Sequence, residues 1–185
     1  IDGHNINALS LKGLRSHIAV VLQDVFLFAD TIENNISLGN SEVSLSEIEA
    51  AAKEIGVHDF IESLPGGYQF NVKERGGMLS SGQRQLIAFL RAYVTKPSIL
   101  VLDEATSSID SASEQLIQKA TDTITKGRTS IVIAHRLATI QKASNILVMD
   151  AGVIVEQGTH EALLKKGGYY KNLYEAQFLS VAVLE

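Results

Sequence analysis

Short apolar runs and longer amphipathic stretches alternate along this chain. "HIAVVLQD" (17–24), "SILVLDEA" (98–105), "TSIVIAHR" (129–136) and "NILVMD" (145–150) are β-rich and strand-length, and each closes on polar or ionisable residues. Helical patterns around "SASEQLIQKATDTI" and "RLATIQKA" separate the last three runs. Strand, helix, strand, helix, strand predicts parallel strands buried on both faces, an α/β sheet. "NILVMDAGVIVEQG" (145–158) predicts a hairpin turning at Asp150-Ala151-Gly152, and Thr159 is placed to N-cap a closing helix through "HEALLKK". The final stretch, "YYKNLYEAQFLSVAVLE", is expected to be helical.

Between the first two strands the period changes. Residues 41–64 read as helix: Ser44 and Glu47 have capping-box spacing, and Ile48, Ala51, Ala52 and Ile55 recur at helical intervals. "LPGGYQF" ends that pattern. A second helix is expected from Ser80-Ser81, with Leu86, Phe89, Leu90 and Tyr93 on one broad face, until Pro97 stops it. The predicted organisation is therefore an α/β core (1–24 and 98–158), a helical subdomain inserted at 25–97, and C-terminal helices over 159–185.

Composition narrows the function classes. The 185 residues are 45% hydrophobic and 20% charged, ordinary for a globular core. A net charge of -5, with scattered Lys and Arg, shows no basic stripe, so nucleic acid is not an expected partner. The absence of cysteine excludes disulfides and thiolate metal sites and fits a reducing, cytosolic setting. No apolar run approaches the roughly 20 residues of a membrane span, and "IDGHNINALS" lacks a targeting pattern.

Ligands of open parallel sheets gather at the carboxyl ends of the strands. There the sequence puts Gln23, the adjacent pair Asp103-Glu104, and His135. The acid pair permits a division of labour in which Asp103 holds a hydrated Mg²⁺ and Glu104 orients or deprotonates water, with Gln23 as a neutral oxygen ligand of the same ion. "LSSGQ" (79–83) opens a helix, and Ser80, Ser81 and Gly82 offer hydroxyls, free N–H groups and a positive dipole end to an anion. Each element alone also has a plain structural use: serines cap, a strand-end Asp holds a turn, and a strand-end His satisfies backbone. The combination carries the functional reading.

In order, Gln23, "LSSGQ" (79–83), "ILVLDE" (99–104), "SSID" (107–110) and His135 resemble the Q-loop, signature motif, Walker B strand with catalytic glutamate, D-loop and switch histidine of ABC transporter nucleotide-binding domains. "KERGGMLSSGQRQ" (73–85), "VFLFADTIENNI" (25–36) and "HRLATIQKASNILVMDAGVIVEQGTHEALL" resemble the exporter branch. The resemblance covers the chain from about Ile1 to the closing helix. It implies a P-loop NTPase (RecA-like) fold and a head-to-tail dimer around two MgATP. Ser80, Ser81, Gly82 and Gln83 would meet γ-phosphate in trans, while Asp103 and Gln23 hold Mg²⁺ in cis. Glu104 would polarise the attacking water, His135 would contact γ-phosphate, and Asp110 would link the two sites. Segment 25–78 would meet a transmembrane domain's coupling helices, with Phe26 and Phe28 as contacts, and the domain would work at the cytoplasmic face of the membrane.

Two departures from the family pattern stand out. Ser81 replaces the usual first glycine of the signature and is expected to be harmless if φ there is ordinary. More consequentially, G-x-x-x-x-G-K-[ST] is missing, since no glycine in the chain is followed by lysine. In the family that loop and an adenine-stacking aromatic lie upstream of the Q-loop, so the chain is expected to be a domain incomplete at its N-terminus and inactive alone. The alternative readings are a soluble ABC-type ATPase of DNA repair or translation, whose long charged inserts are not seen here, and a non-catalytic folded fragment that only associates with partners.

Overall fold

The computed structural model describes residues 1–103, 111–134 and 136–176, in two compact units, Ile1–Ile133 and Ala134–Glu185. In the first unit, α1 (Leu11–Ser16), capped by the Ser10 hydroxyl, leads into β1 (Ile18–Val21). The helical segment follows as α2 (Ile32–Ser37), α3 (Leu45–Ile55), α4 (His58–Glu62) and α5 (Ser81–Val94). Then come β2 (Ile99–Asp103), α6 (Ser111–Thr125) and β3 (Thr129–Ile133).

The strands form a parallel sheet in the order β1-β2-β3, with Val21 opposite Leu102 and Asp103 opposite Ile133. Ala19, Val21, Leu100, Leu102 and Val132 share one apolar core with Leu86, Phe89 and Leu90 of α5 and with Ile117, Ala120 and Ile124 of α6. The period of 2 sends the alternate residues the other way. There Val20, Ile131 and Ile133 remain more than half exposed. Burial on both faces, expected from the continuous apolar runs, therefore holds for one face of these residues.

The helical segment forms largely by local rules. Ser44 Oγ accepts from the Glu47 amide at 3.3 Å while Glu47 Oε2 accepts from the Ser44 amide at 2.9 Å, the predicted reciprocal cap. Ile48, Ala51, Ala52 and Ile55 are the buried stripe of α3. The single helix expected over 41–64 is in fact broken: Gly56 takes a left-handed φ of 81° and ends α3, and α4 starts afresh at His58. On α5, Ile87, Ala88 and Ala92 are buried as well as Leu86, Phe89 and Leu90, so this helix is enclosed on more than the one predicted face.

In the second unit, α7 (Leu137–Lys142) precedes a hairpin of β4 (Ile146–Asp150) and β5 (Val153–Gly158), followed by α8 (His160–Lys166) and α9 (Tyr169–Tyr174). The turn lies where predicted, with left-handed φ at Ala151 and Gly152. Such a primed turn matches the twist of its strands. β4 pairs antiparallel with β5 in a second, two-stranded sheet rather than as a further parallel strand, which corrects the strand-helix-strand reading of 129–150. Thr159 Oγ1 accepts from the Ala162 amide, the predicted cap of α8. Val148, Leu163 and Tyr170 form this unit's core.

Candidate functional site

Parallel register sets the site's first two members. Val21 and Leu102 are paired, so the chain leaves β1 at the level where β2 reaches Asp103, and neighbouring strands lie about 4.8 Å apart. Gln23 is exposed just beyond β1, and Asp103 ends β2 partly exposed. Both therefore sit at the carboxyl edge of the sheet. Glu104, Asp110 and His135 lie outside the described residues; Glu104 directly follows Asp103 in sequence, and His135 comes two positions after the end of β3.

The signature segment is built from two turns. Ahead of it, Lys73, Arg75 and Gly76 have φ of 59°, 52° and 70°. At position 76 the glycine is needed, because a Cβ there would lie 2.9 Å from Arg84 Cδ and 3.0 Å from Leu27 Cδ1. Leu79 is then buried, and Ser80 caps α5. Ser80 Oγ accepts from the Gln83 amide at 3.2 Å, and Gln83 Oε1 accepts from the Ser80 amide at 2.9 Å. This second capping box has the same S-x-x-[EQ] spacing as Ser44 and Glu47, so it was open to the same sequence rule.

The box changes what the signature side chains offer. Gln83 commits its Oε1 to the cap and keeps its Nε2 donors, and Ser80 uses a lone pair there and keeps its hydroxyl hydrogen. The first-turn N–H groups of Ser81 and Gly82 have no intrahelical acceptor. Ser81 is the first helical residue and is absent from the positions of positive φ, so the serine costs no backbone strain. Gly82 is buried in the first turn.

Gln23 and Ser81 line one cavity of about 100 Å³ with Asp24, Val25, Arg84 and Gln85. The structure thus joins the β1 edge to the start of α5, two segments nearly 60 residues apart in sequence. Gln85 was not singled out by the sequence, yet it is 2% exposed and its Oε1 finds no hydrogen-bond partner among the described residues. Arg84 Nη1 donates to the Leu79 carbonyl at 2.7 Å and holds the turn beneath the cap.

Sequence reasoning also passed over the support behind the edge. Leu27 is fully buried while Phe26 and Phe28 on either side are exposed, their rings edge-to-face at 5.1 Å. Asn35, fully buried on α2, and Arg91 on α5 hold this tripeptide by hydrogen bonds to its backbone. Burial lowers the Arg91 pKa from its ordinary value. No local pattern marks these two residues.

Asp103 and Gln23 supply one carboxylate and one amide oxygen, hard donors that suit Mg²⁺ when water and phosphate oxygens complete the shell. Among the described residues, no cluster of three His, Asp or Glu side chains forms a self-sufficient metal site. The donor set therefore fits a cation delivered with a phosphate ligand. Among the described residues, too, no helix is long and apolar enough to cross a membrane.

Comparison with known proteins identifies relatives of this chain. Residues 1–107 match the family model described as ABC transporter. The chain is 52% identical over 178 residues to an ATP-dependent lipid A-core flippase of Saccharophagus degradans, covering 96% of this chain and 30% of that protein. It is 49% identical to a probable multidrug resistance ABC transporter ATP-binding/permease protein, YheH, of Bacillus subtilis, over 96% of this chain and 26% of the relative. The ATP-bound structure of a bacterial Atm1-family ABC exporter superposes with a TM-score of 0.85 at 42% identity, over 96% of this chain and 31% of the exporter chain. The chain thus spans less than a third of the length of each of these proteins.

Proposed function

Since this chain belongs to the ABC transporter family, we propose that it is the ATP-binding and ATP-hydrolysing domain of an exporter, powering the passage of a substrate through a transmembrane part outside these 185 residues. The observation that carries the proposal is the meeting of the β1 edge and the α5 N-terminus around Gln23 and Ser81, beside the strand-end Asp103. Similarity to a flippase, a multidrug transporter and an exporter favours this reading over a soluble ABC-type ATPase.

The residues divide the work by their chemistry. Bound Mg²⁺ would neutralise phosphate charge, held by Asp103 through water with Gln23 assisting. Glu104, next to Asp103, is assigned to polarising the attacking water, and His135 to stabilising charge that develops on the γ-phosphate. Ser81 and Gly82 aim uncommitted N–H groups, and Ser80 its hydroxyl, from the positive end of α5. In a head-to-tail dimer these donors would face the γ-phosphate bound to a second domain, with Asp110 linking the two sites. Dimer closure and reopening would drive alternating access of the transmembrane part from its cytoplasmic side.

A β- and γ-phosphate cradle is still required, and none of these residues forms one. We assign it to residues outside the 185, packed over the sheet face where Val20, Ile131 and Ile133 are exposed. The α/β core (1–24 and 98–158) would then hold the cis half of the site, and the 25–97 subdomain would present the signature and dock on the transmembrane part through Phe26 and Phe28.

The test is MgATP hydrolysis by the full-length protein. Glu104→Gln should cut turnover by about 10²-fold or more while ATP binding persists, the scale of a lost general base. Undiminished turnover would remove Glu104 from that role.

A further inference from the structure

The Phe26-Leu27-Phe28 display is fastened at three points. Leu27 is buried in the apolar core between the two exposed rings. Asn35 holds Phe28 from both sides of its peptide: Oδ1 accepts from the Phe28 amide at 2.8 Å, and Nδ2 donates to the Phe28 carbonyl at 3.0 Å. The same Nδ2 donates to the Thr31 carbonyl at 2.9 Å, which fixes the loop to the start of α2.

The third fastening crosses to α5. Arg91 Nε donates to the Asn35 carbonyl at 2.7 Å, Nη1 to the Phe26 carbonyl at 3.2 Å and Nη2 to Asn35 Oδ1 at 3.4 Å. A planar guanidinium can span these three acceptors at once, whereas a lysine ammonium presents a single centre. Arg91 is on the same helix as the cap at Ser80, and at 1.5 Å per residue the two are roughly 16 Å apart. A continuous helix carries displacement over that distance as a rigid rod.

The geometry points to Arg91 and Asn35 as positioning residues that make the aromatic display and the signature helix one mechanical body, so that a push on Phe26 and Phe28 moves Ser80, Ser81 and Gly82. This rests on the proposed docking of the two phenylalanines against the transmembrane part. The carrier is a set of hydrogen bonds to backbone carbonyls and to Asn35 Oδ1, which resist a shift of the loop along α5 more than apolar contact alone would.

The test is a cycle on the full-length transporter in lipid nanodiscs, reading kcat and KM for MgATP. Arg91→Lys keeps the charge and loses the fork; Phe26→Ala with Phe28→Ala removes the display. Each should lower kcat by about fivefold or more with KM within about twofold, and the triple variant should match the Phe26/Phe28 double variant, because both act through one path. Asn35→Asp removes the Nδ2 donor from the other end of the clamp and should reproduce Arg91→Lys should the latter fail to assemble. Normal kcat in Arg91→Lys or Asn35→Asp, or losses that multiply in the triple variant, would overturn the clamp. An Arg91→Lys loss with a silent Phe26/Phe28 variant would also overturn it. A silent Phe26/Phe28 variant would contradict the docking reading as well, whereas multiplying losses would spare that reading.

Discussion

Two positions in and before the signature respond to substitution in opposite ways. Ser81 occupies the first helical turn without positive φ. Ser81→Gly in the full-length protein should therefore change MgATP turnover by less than about tenfold, some 1.4 kcal/mol in barrier. A larger change would show that the Ser81 hydroxyl takes part in binding. Gly76 is the contrary case, with φ of 70° and Arg84 and Leu27 already at 2.9 and 3.0 Å from any Cβ. Gly76→Ala should destabilise the chain by about 1–3 kcal/mol, read as a lower denaturant midpoint at unchanged slope. Legibility at this scale follows the range of the interaction. Ser44 with Glu47, and the turn at Asp150-Ala151-Gly152, are decided by neighbours within four residues and can be read directly. Arg91 and Asn35 meet across 56 positions, and a charged residue in a helix gives no sign that its carbonyl partners lie on another element.

Among the elements, the C-terminal helices are held to the hairpin by Glu156. Its carboxylate, 6% exposed, accepts from the Tyr170 amide at 2.8 Å and lies 3.2 Å from the Lys166 ammonium. The Tyr170 amide bond, then Lys166, holds its pKa below the ordinary 4.5. The folded unit thus binds a proton less readily than the unfolded chain. The stabilisation is present above the unfolded value and is lost as pH falls through the lowered folded one. Hydrogen exchange at the Tyr170 amide should accelerate relative to the hairpin amides as pH falls below the carboxyl's ordinary 4.5 and through its lowered folded value. Glu156→Gln should abolish that pH dependence; a pH-independent wild type would remove Glu156 as the latch. This contact also shows why element types were more legible than their partners. Apolar runs located β4 and β5, but a run alone does not say whether its neighbour is β3 in parallel or β5 in a hairpin. The left-handed Ala151-Gly152 turn decided it. Likewise the 41–64 pattern marked helix correctly and passed over Gly56, whose left-handed φ splits it.

For the whole molecule, a parallel sheet and the placement of Gln23 and Asp103 at its carboxyl edge follow from strand-end rules applied to the sequence, whereas the order β1-β2-β3 is seen only in the fold. The cavity that joins Gln23 to Ser81 depends on how α5 packs, and only the fold reveals it. In the proposed division of labour these residues supply the signature, the metal ligands and the water-activating acid of an ATP site, while the phosphate cradle belongs to residues outside them. Calorimetric titration of MgATP into the 185-residue chain and into the full-length protein tests this most directly. The full-length protein should bind MgATP and the 185 residues alone should not. Saturable binding by the 185-residue chain would contradict it, since the phosphate grip would then lie within these residues.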